Sequence, residues 1–113
     1  MILSILKTVG AIGTIVTGVI SLLSPKSVTG FVGLQPDGPR GLSEIRAVLG
    51  GLFIGSGAAV LLLKDTAAPK VLGIAYLGTA AGRLLSMVID RAFDNSNWIS
   101  LAWEVFFGVV LVL

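Results

Sequence analysis

Apolar residues fall into four long blocks, separated by few charges. Eighteen uncharged residues, TVGAIGTIVTGVISLLSP, lie between Lys7 and Lys26, and seventeen, AVLGGLFIGSGAAVLLL, between Arg46 and Lys64. A helix needs about 20 apolar residues to cross a bilayer, so both blocks read as spans. Two further blocks, Val71 to Ile89 and Trp98 to Leu113, reach that length once Arg83 and Glu104 are admitted to them. The pattern predicts one domain over 1–113, with spans at about 2–23, 42–63, 71–90 and 98–113. The links KDTAAPK and RAFDNSN have the composition of turns. The expected fold class is therefore all-α, an integral membrane antiparallel four-helix bundle. The stretch 24–41, SPKSVTGFVGLQPDGPRG, is rich in Pro and Gly and is expected to be either a surface loop partly covering the mouth of the bundle or a floppy linker.

Small residues recur at helical spacing within three spans. Gly10, Thr14 and Gly18 form one ridge, Ala47, Gly51, Gly55 and Ala59 a second, and Gly78, Gly82 and Ser86 a third. Such ridges let helix backbones approach closely in lipid, where apolar burial no longer drives association. All three are expected at helix–helix contacts.

Depth in the membrane then relates the charges. With the N-terminus on one side, 24–41 and 91–97 share the other. Arg83 lies roughly 10 Å beneath that second surface, Glu104 roughly 9 Å, and Glu44 and Arg46 within about 6 Å, at 1.5 Å per residue. A charge at mid-helix costs about 2.5–3.5 kcal/mol on insertion scales, so an unpaired Arg83 is disfavoured. The four residues Glu44, Arg46, Arg83 and Glu104 carry no net charge, and the expectation is an intramembrane polar cluster with Arg83 paired to Glu104 or to Glu44. Tyr76, Thr79, Arg83, Ser86 and Asp90 fall along one stripe of the third span. Ser100, Glu104 and Gly108 do so on the fourth. Tyr76, Thr79, Ser86, Asp90 and Ser100 thus form a secondary polar stripe. Glu44 heads the Gly51–Gly55 ridge and is expected to face inward, with Arg46 pointing nearly the opposite way. Trp98 and Trp103 are expected as interfacial anchors.

Composition narrows the chemistry. The chain is 55% hydrophobic and 12% charged, whereas soluble domains carry about 25% charged residues. Mean hydropathy is +1.01, so lipid rather than water is the expected solvent. Eight basic and six acidic residues give a net charge of +2, scattered without the basic patch that nucleic acid requires. Cysteine and histidine are both absent, which removes disulfides, thiolate chemistry, the commonest general base and the commonest metal ligand. No catalytic residue and no metal ligand is identified. Glu44 and Glu104 form a carboxylate pair, yet neighbouring arginines favour their charged state, the wrong one for a general acid. GLFIGSG lacks the strand–turn–helix setting of a nucleophile elbow. Three roles for the charged cluster follow: a structural lock, a polar floor to a ligand cavity, or a transport pathway.

The phrases GLSEIRAVLGG, AGRLLSMVID and AWEVFFG carry a resemblance. From about Pro36 onward the chain resembles a family of small bacterial four-helix membrane proteins of unknown function, related to the DoxX-like group. The resemblance implies a four-helix membrane bundle with Glu44, Arg46, Arg83 and Glu104 as its characteristic polar positions. The family has no established reaction. Relatives in the wider group are associated with quinone-linked oxidation or with binding lipidic small molecules. The expected function is an accessory subunit or hydrophobic-ligand-binding bundle within a larger membrane assembly. The alternatives are a quinone-linked membrane enzyme subunit and an oligomeric transporter. The expected partners are membrane lipid and either a protein partner or further copies of the chain, with no nucleic acid. No cofactor is identifiable; lipid, quinone and pigment are the ligand classes in view. The expected location is a bacterial inner membrane or an equivalent energy-transducing membrane.

Overall fold

The computed structural model describes residues 1–113, and all regular structure in it is helical. Five helices follow one another: α1 (Ile2–Leu23), α2 (Pro25–Val32), α3 (Gly38–Leu63), α4 (Ala67–Ile89) and α5 (Asn95–Val112). Four of them, α1, α3, α4 and α5, have 22, 26, 23 and 18 residues and are long and apolar enough to cross a membrane. The molecule measures 42 Å along its longest axis, close to the ~40–45 Å of a bilayer with its headgroups. Exposed apolar side chains, among them Val16, Ile20, Leu62, Ile74, Val88, Ile99 and Phe106, are distributed over all four long helices. They would be a liability in water and suit a lipid surround. The chain is an integral membrane protein.

The stretch 24–41 is not the loop its composition predicts. Pro25 stands in the first turn of α2, where a missing N–H costs nothing because no intrahelical acceptor exists there. Proline here starts a helix instead of breaking one. Gly33, at φ 72°, ends α2 in the left-handed conformation that glycine adopts without strain. Pro39 then occupies the first turn of α3, which begins at Gly38 rather than near 42.

Helix α3 is not uniform. Over Ile45–Leu52 it is π-helical, with hydrogen bonds from i to i+5 and less rotation per residue than an α-helix. Its inward side therefore runs Ile45, Gly50, Gly57, with a five-residue step where a regular helix would take three or four. The ridge Ala47, Gly51, Gly55 consequently turns outward; nothing lies within 4 Å of where a Gly55 Cβ would stand. Gly78 and Gly82 on α4 are likewise open. Two of the three expected ridges are thus not contacts inside this chain.

The first ridge is. A Cβ on Gly18 would lie 2.7 Å from the Gly50 carbonyl oxygen, and one on Gly57 2.7 Å from that of Ala11. Residue numbers fall along α3 as they rise along α1. Helices α4 and α5 meet in the same manner at Gly73 and Gly108, where a Gly73 Cβ would stand 2.9 Å from the Gly108 carbonyl oxygen. Packing is most extensive within these two pairs, α1 with α3 and α4 with α5, and lighter between them. Aromatic rings of α5 bridge the pairs: Phe107 packs over Gly10 and Trp103 over Gly13. Trp103 therefore fills a gap near the middle of α1 and is not an interfacial anchor. Leu72, Tyr76, Phe107 and Leu111 form the larger buried apolar cluster.

Candidate functional site

Helices α4 and α5 bring Arg83 and Glu104 face to face. Glu104 stands midway along α5 between buried Leu101 and Phe107. Arg83 Nε donates to Glu104 Oε2 at 2.9 Å and to Oε1 at 3.1 Å, and Nη2 donates to Oε1 at 2.6 Å. Nη1 turns to Asn97 Oδ1 at 2.7 Å, and the Asn97 amide donates in turn to the Ala92 carbonyl at 2.9 Å. The Glu104 side chain is 8% exposed and that of Arg83 26%. Both carboxylate oxygens accept from one guanidinium, a two-point arrangement that fixes orientation as well as charge.

Glu44 and Arg46 do not join this pair. Glu44 accepts a hydrogen bond from Arg40 one turn earlier on α3, and both side chains are largely exposed. The early start of α3 explains the difference, since it places Arg40 at i−4 and supplies a surface partner. Glu44 consequently faces outward, contrary to the inward orientation its ridge predicts. Arg46 Nη1 donates to the Leu22 carbonyl at the end of α1. That carbonyl is among the last four of its helix and has no intrahelical donor. Arg46 is thus a cap across two helices. The expected cluster of four divides into one buried pair, one surface pair and one cap.

The secondary stripe divides as well. The buried Tyr76 hydroxyl stands 2.5 Å from Thr14 Oγ1, which itself donates to the Gly10 carbonyl at 2.7 Å. Tyr76 therefore donates to Thr14 and ties α4 to α1. Thr79 donates to the Ala75 carbonyl on an open face at 2.9 Å. Ser86 donates to Asp90 at the end of α4 at 2.7 Å. Ser100 is half-buried on α5 and takes no part in the Arg83 network. Asn97 is the participant that sequence reading missed. It lies seven residues before Glu104, hence on the same face of α5, and that spacing was the available signal. No buried side-chain nitrogen or oxygen lacks a hydrogen-bond partner.

The Tyr76–Thr14 contact gives a bounded expectation. Tyr76→Phe leaves Thr14 bonded to Gly10, so no donor is orphaned, and interhelical hydrogen bonds in membranes average about 0.6 kcal/mol, with a maximum near 1.7. Unfolding of that variant in detergent should register a loss within those values. A loss several times larger would assign Tyr76 a role beyond this bond.

No curated protein and no solved structure matches the chain. One family profile does, over residues 2–113, and it covers α1 through α5 together with the Arg83–Glu104 pair. The chain belongs to the family described as Domain of unknown function (DUF4345).

Proposed function

We propose that the protein is an antiparallel four-helix membrane bundle serving as an accessory subunit, or as a holder of a hydrophobic ligand, within a larger membrane assembly. One observation carries this reading: the buried Glu104 and the Arg83 facing it are committed to each other and to Asn97. A quinone-linked enzyme or an oligomeric transporter would need one of them to exchange protons with substrate or water, and a closed pair opposes that. The alternating helix contacts at Gly18–Gly50 and Ala11–Gly57, and the shared concavity lined by Met1, Asp65 and Leu113, support the antiparallel arrangement. The open glycines Gly55, Gly78 and Gly82 support the accessory role, because small residues on an outer helix face admit a second backbone or a flat ligand closely. A bacterial inner membrane, or an equivalent energy-transducing one, and kinship to the DoxX-like group belong to the same proposal. They rest on the phrases GLSEIRAVLGG and AGRLLSMVID.

Purification from native membranes in a mild detergent, followed by mass spectrometry of the intact species, tests the reading. The expected result is a larger assembly or a bound lipid, quinone or pigment. A homogeneous ligand-free monomer would overturn it.

A further inference from the structure

Helix α2 stands at the end of the molecule where α1 finishes and α3 begins. It does not continue α1. At Ser24 the backbone leaves the helical region, at φ −137° and ψ 68°, and α2 then packs against α1 and reaches α5. At its other end Gly33 stops the helix and Pro36 lies against Gly41 of α3. Both ends of α2 are therefore held beside spans that meet one membrane surface. At about 100° per residue, Val28, Phe31 and Val32 share one side of α2, and Lys26, Ser27 and Gly30 share the other. Phe31 and Val32 are exposed, as is Leu34 just beyond the helix, and Val28 is half-buried. The exposed apolar side of α1, with Val16 and Val19, runs up to exposed Leu23, immediately before the break. At the same end of the molecule Phe93 and Trp98 are exposed and stacked, with ring centroids 6.2 Å apart. The charges of segments 24–41 and 90–98 cancel: Lys26, Arg40 and Arg91 against Asp37, Asp90 and Asp94.

We propose that α2 is an interfacial helix, lying along the bilayer surface with Phe31, Val32 and Leu34 sunk to the boundary of headgroups and acyl chains. Its eight residues span about 12 Å, too short to cross the bilayer. An amphipathic helix at that boundary buries its apolar side in lipid and keeps its polar side, here Lys26, Ser27 and Gly30, in water. The occupant of the exposed apolar side is lipid because that side continues the lipid-facing surface of α1 at Leu23. Exposed Phe93 and Trp98 at the same end suit the same depth, where aromatic rings collect. Because the charges there sum to zero, apolar insertion holds α2 and anionic headgroups add nothing. The inference requires only that the chain crosses a membrane, and it is independent of the accessory role.

The chain has no cysteine, so one introduced cysteine carries a nitroxide label at a chosen position. Lys26→Cys, Ser27→Cys, Phe31→Cys and Leu34→Cys are compared in the full chain in phosphatidylcholine vesicles; all four positions are exposed, so labelling leaves the core intact. Collision of the label with oxygen, which concentrates among acyl chains, is set against collision with a water-soluble nickel chelate. Val16→Cys on α1 and Thr66→Cys in the turn at the opposite end give the lipid and water references. The oxygen-to-nickel ratio at Phe31 and Leu34 should approach that of Val16 and stand several-fold above the ratio at Lys26 and Ser27. Adding phosphatidylglycerol should leave this pattern unchanged. Free access of nickel to all four positions would place α2 in water and overturn the proposal. Shielding of Phe31 and Leu34 from both reagents would overturn it too, assigning that side to protein. A high ratio that appears only with phosphatidylglycerol would do the same, since headgroup charge would then be holding the helix.

Discussion

Arg83→Leu and Glu104→Leu should each destabilise the protein by about 3–5 kcal/mol, because removing one member of a buried ion pair leaves the other uncompensated. The double replacement should recover most of that loss. Two leucines facing each other across α4 and α5 present apolar surface beside Ala80, Met87 and Leu101, and such exchanges are often neutral or stabilising. Thermal unfolding of the four species in one detergent closes the cycle, and the interaction energy it yields isolates the pair. Additive losses would mean that the two charges are not each other's partners. Arg83→Lys is the informative conservative variant. A lysine keeps the charge but offers a single point of contact, where the guanidinium reaches both Glu104 oxygens and Asn97 at once.

That pair was legible in the sequence because three independent constraints converge on it. Arg83 and Glu104 approach the same membrane surface from opposite chain directions, lie at matching depth, and share helix faces with other polar or small residues. Glu44 and Arg46 satisfy the depth argument equally well and still go elsewhere. Near a helix start, a charge has local competitors that depth cannot reveal: Arg40 at i−4 and the unbonded Leu22 carbonyl. The glycine ridge of α3 failed for a different reason. Counting small residues at i, i+4 assumes 3.6 residues per turn throughout, and the π segment at Ile45–Leu52 breaks that assumption. It brings Gly50 and Gly57 to α1 and turns Gly51 and Gly55 away. No side-chain pattern marks such a segment in advance. Pro25 illustrates a third case, since composition shows that a proline is present and not whether it interrupts a helix or opens one.

Gly18→Ala should cost about 1–3 kcal/mol, the usual range for forcing extra volume into a packed contact. The added Cβ would meet the Gly50 carbonyl oxygen at 2.7 Å and the Ile54 backbone nitrogen at 2.9 Å. Backbone atoms cannot rotate aside as a side-chain terminus can, so α1 and α3 must separate along their whole seam. Gly55→Ala, on the same helix as Gly50 but open to the surroundings, should instead be neutral or gain up to about 1 kcal/mol in helix propensity. Melting of the two variants side by side measures the contrast. Equal losses would show that Gly55 packs against something else in the purified particle, and its identity would then be the more useful result.

The buried pair also bears on how the chain enters the bilayer. Its members are 21 residues apart, on consecutive helices joined by the short link 90–94. Neither charge needs a counter-ion from α1 or α3. A lone charge carried to mid-helix depth costs about 2.5–3.5 kcal/mol on insertion scales, and two entering one after the other would each meet that barrier. Paired across adjacent helices, Arg83 and Glu104 can be delivered together as a dipole with no net charge. Neutralising the C-terminal pair then requires nothing from the N-terminal half: α4 and α5 can enter the bilayer as a neutral unit, and their contacts with α1 at Thr14, Gly10 and Gly13 involve no charge.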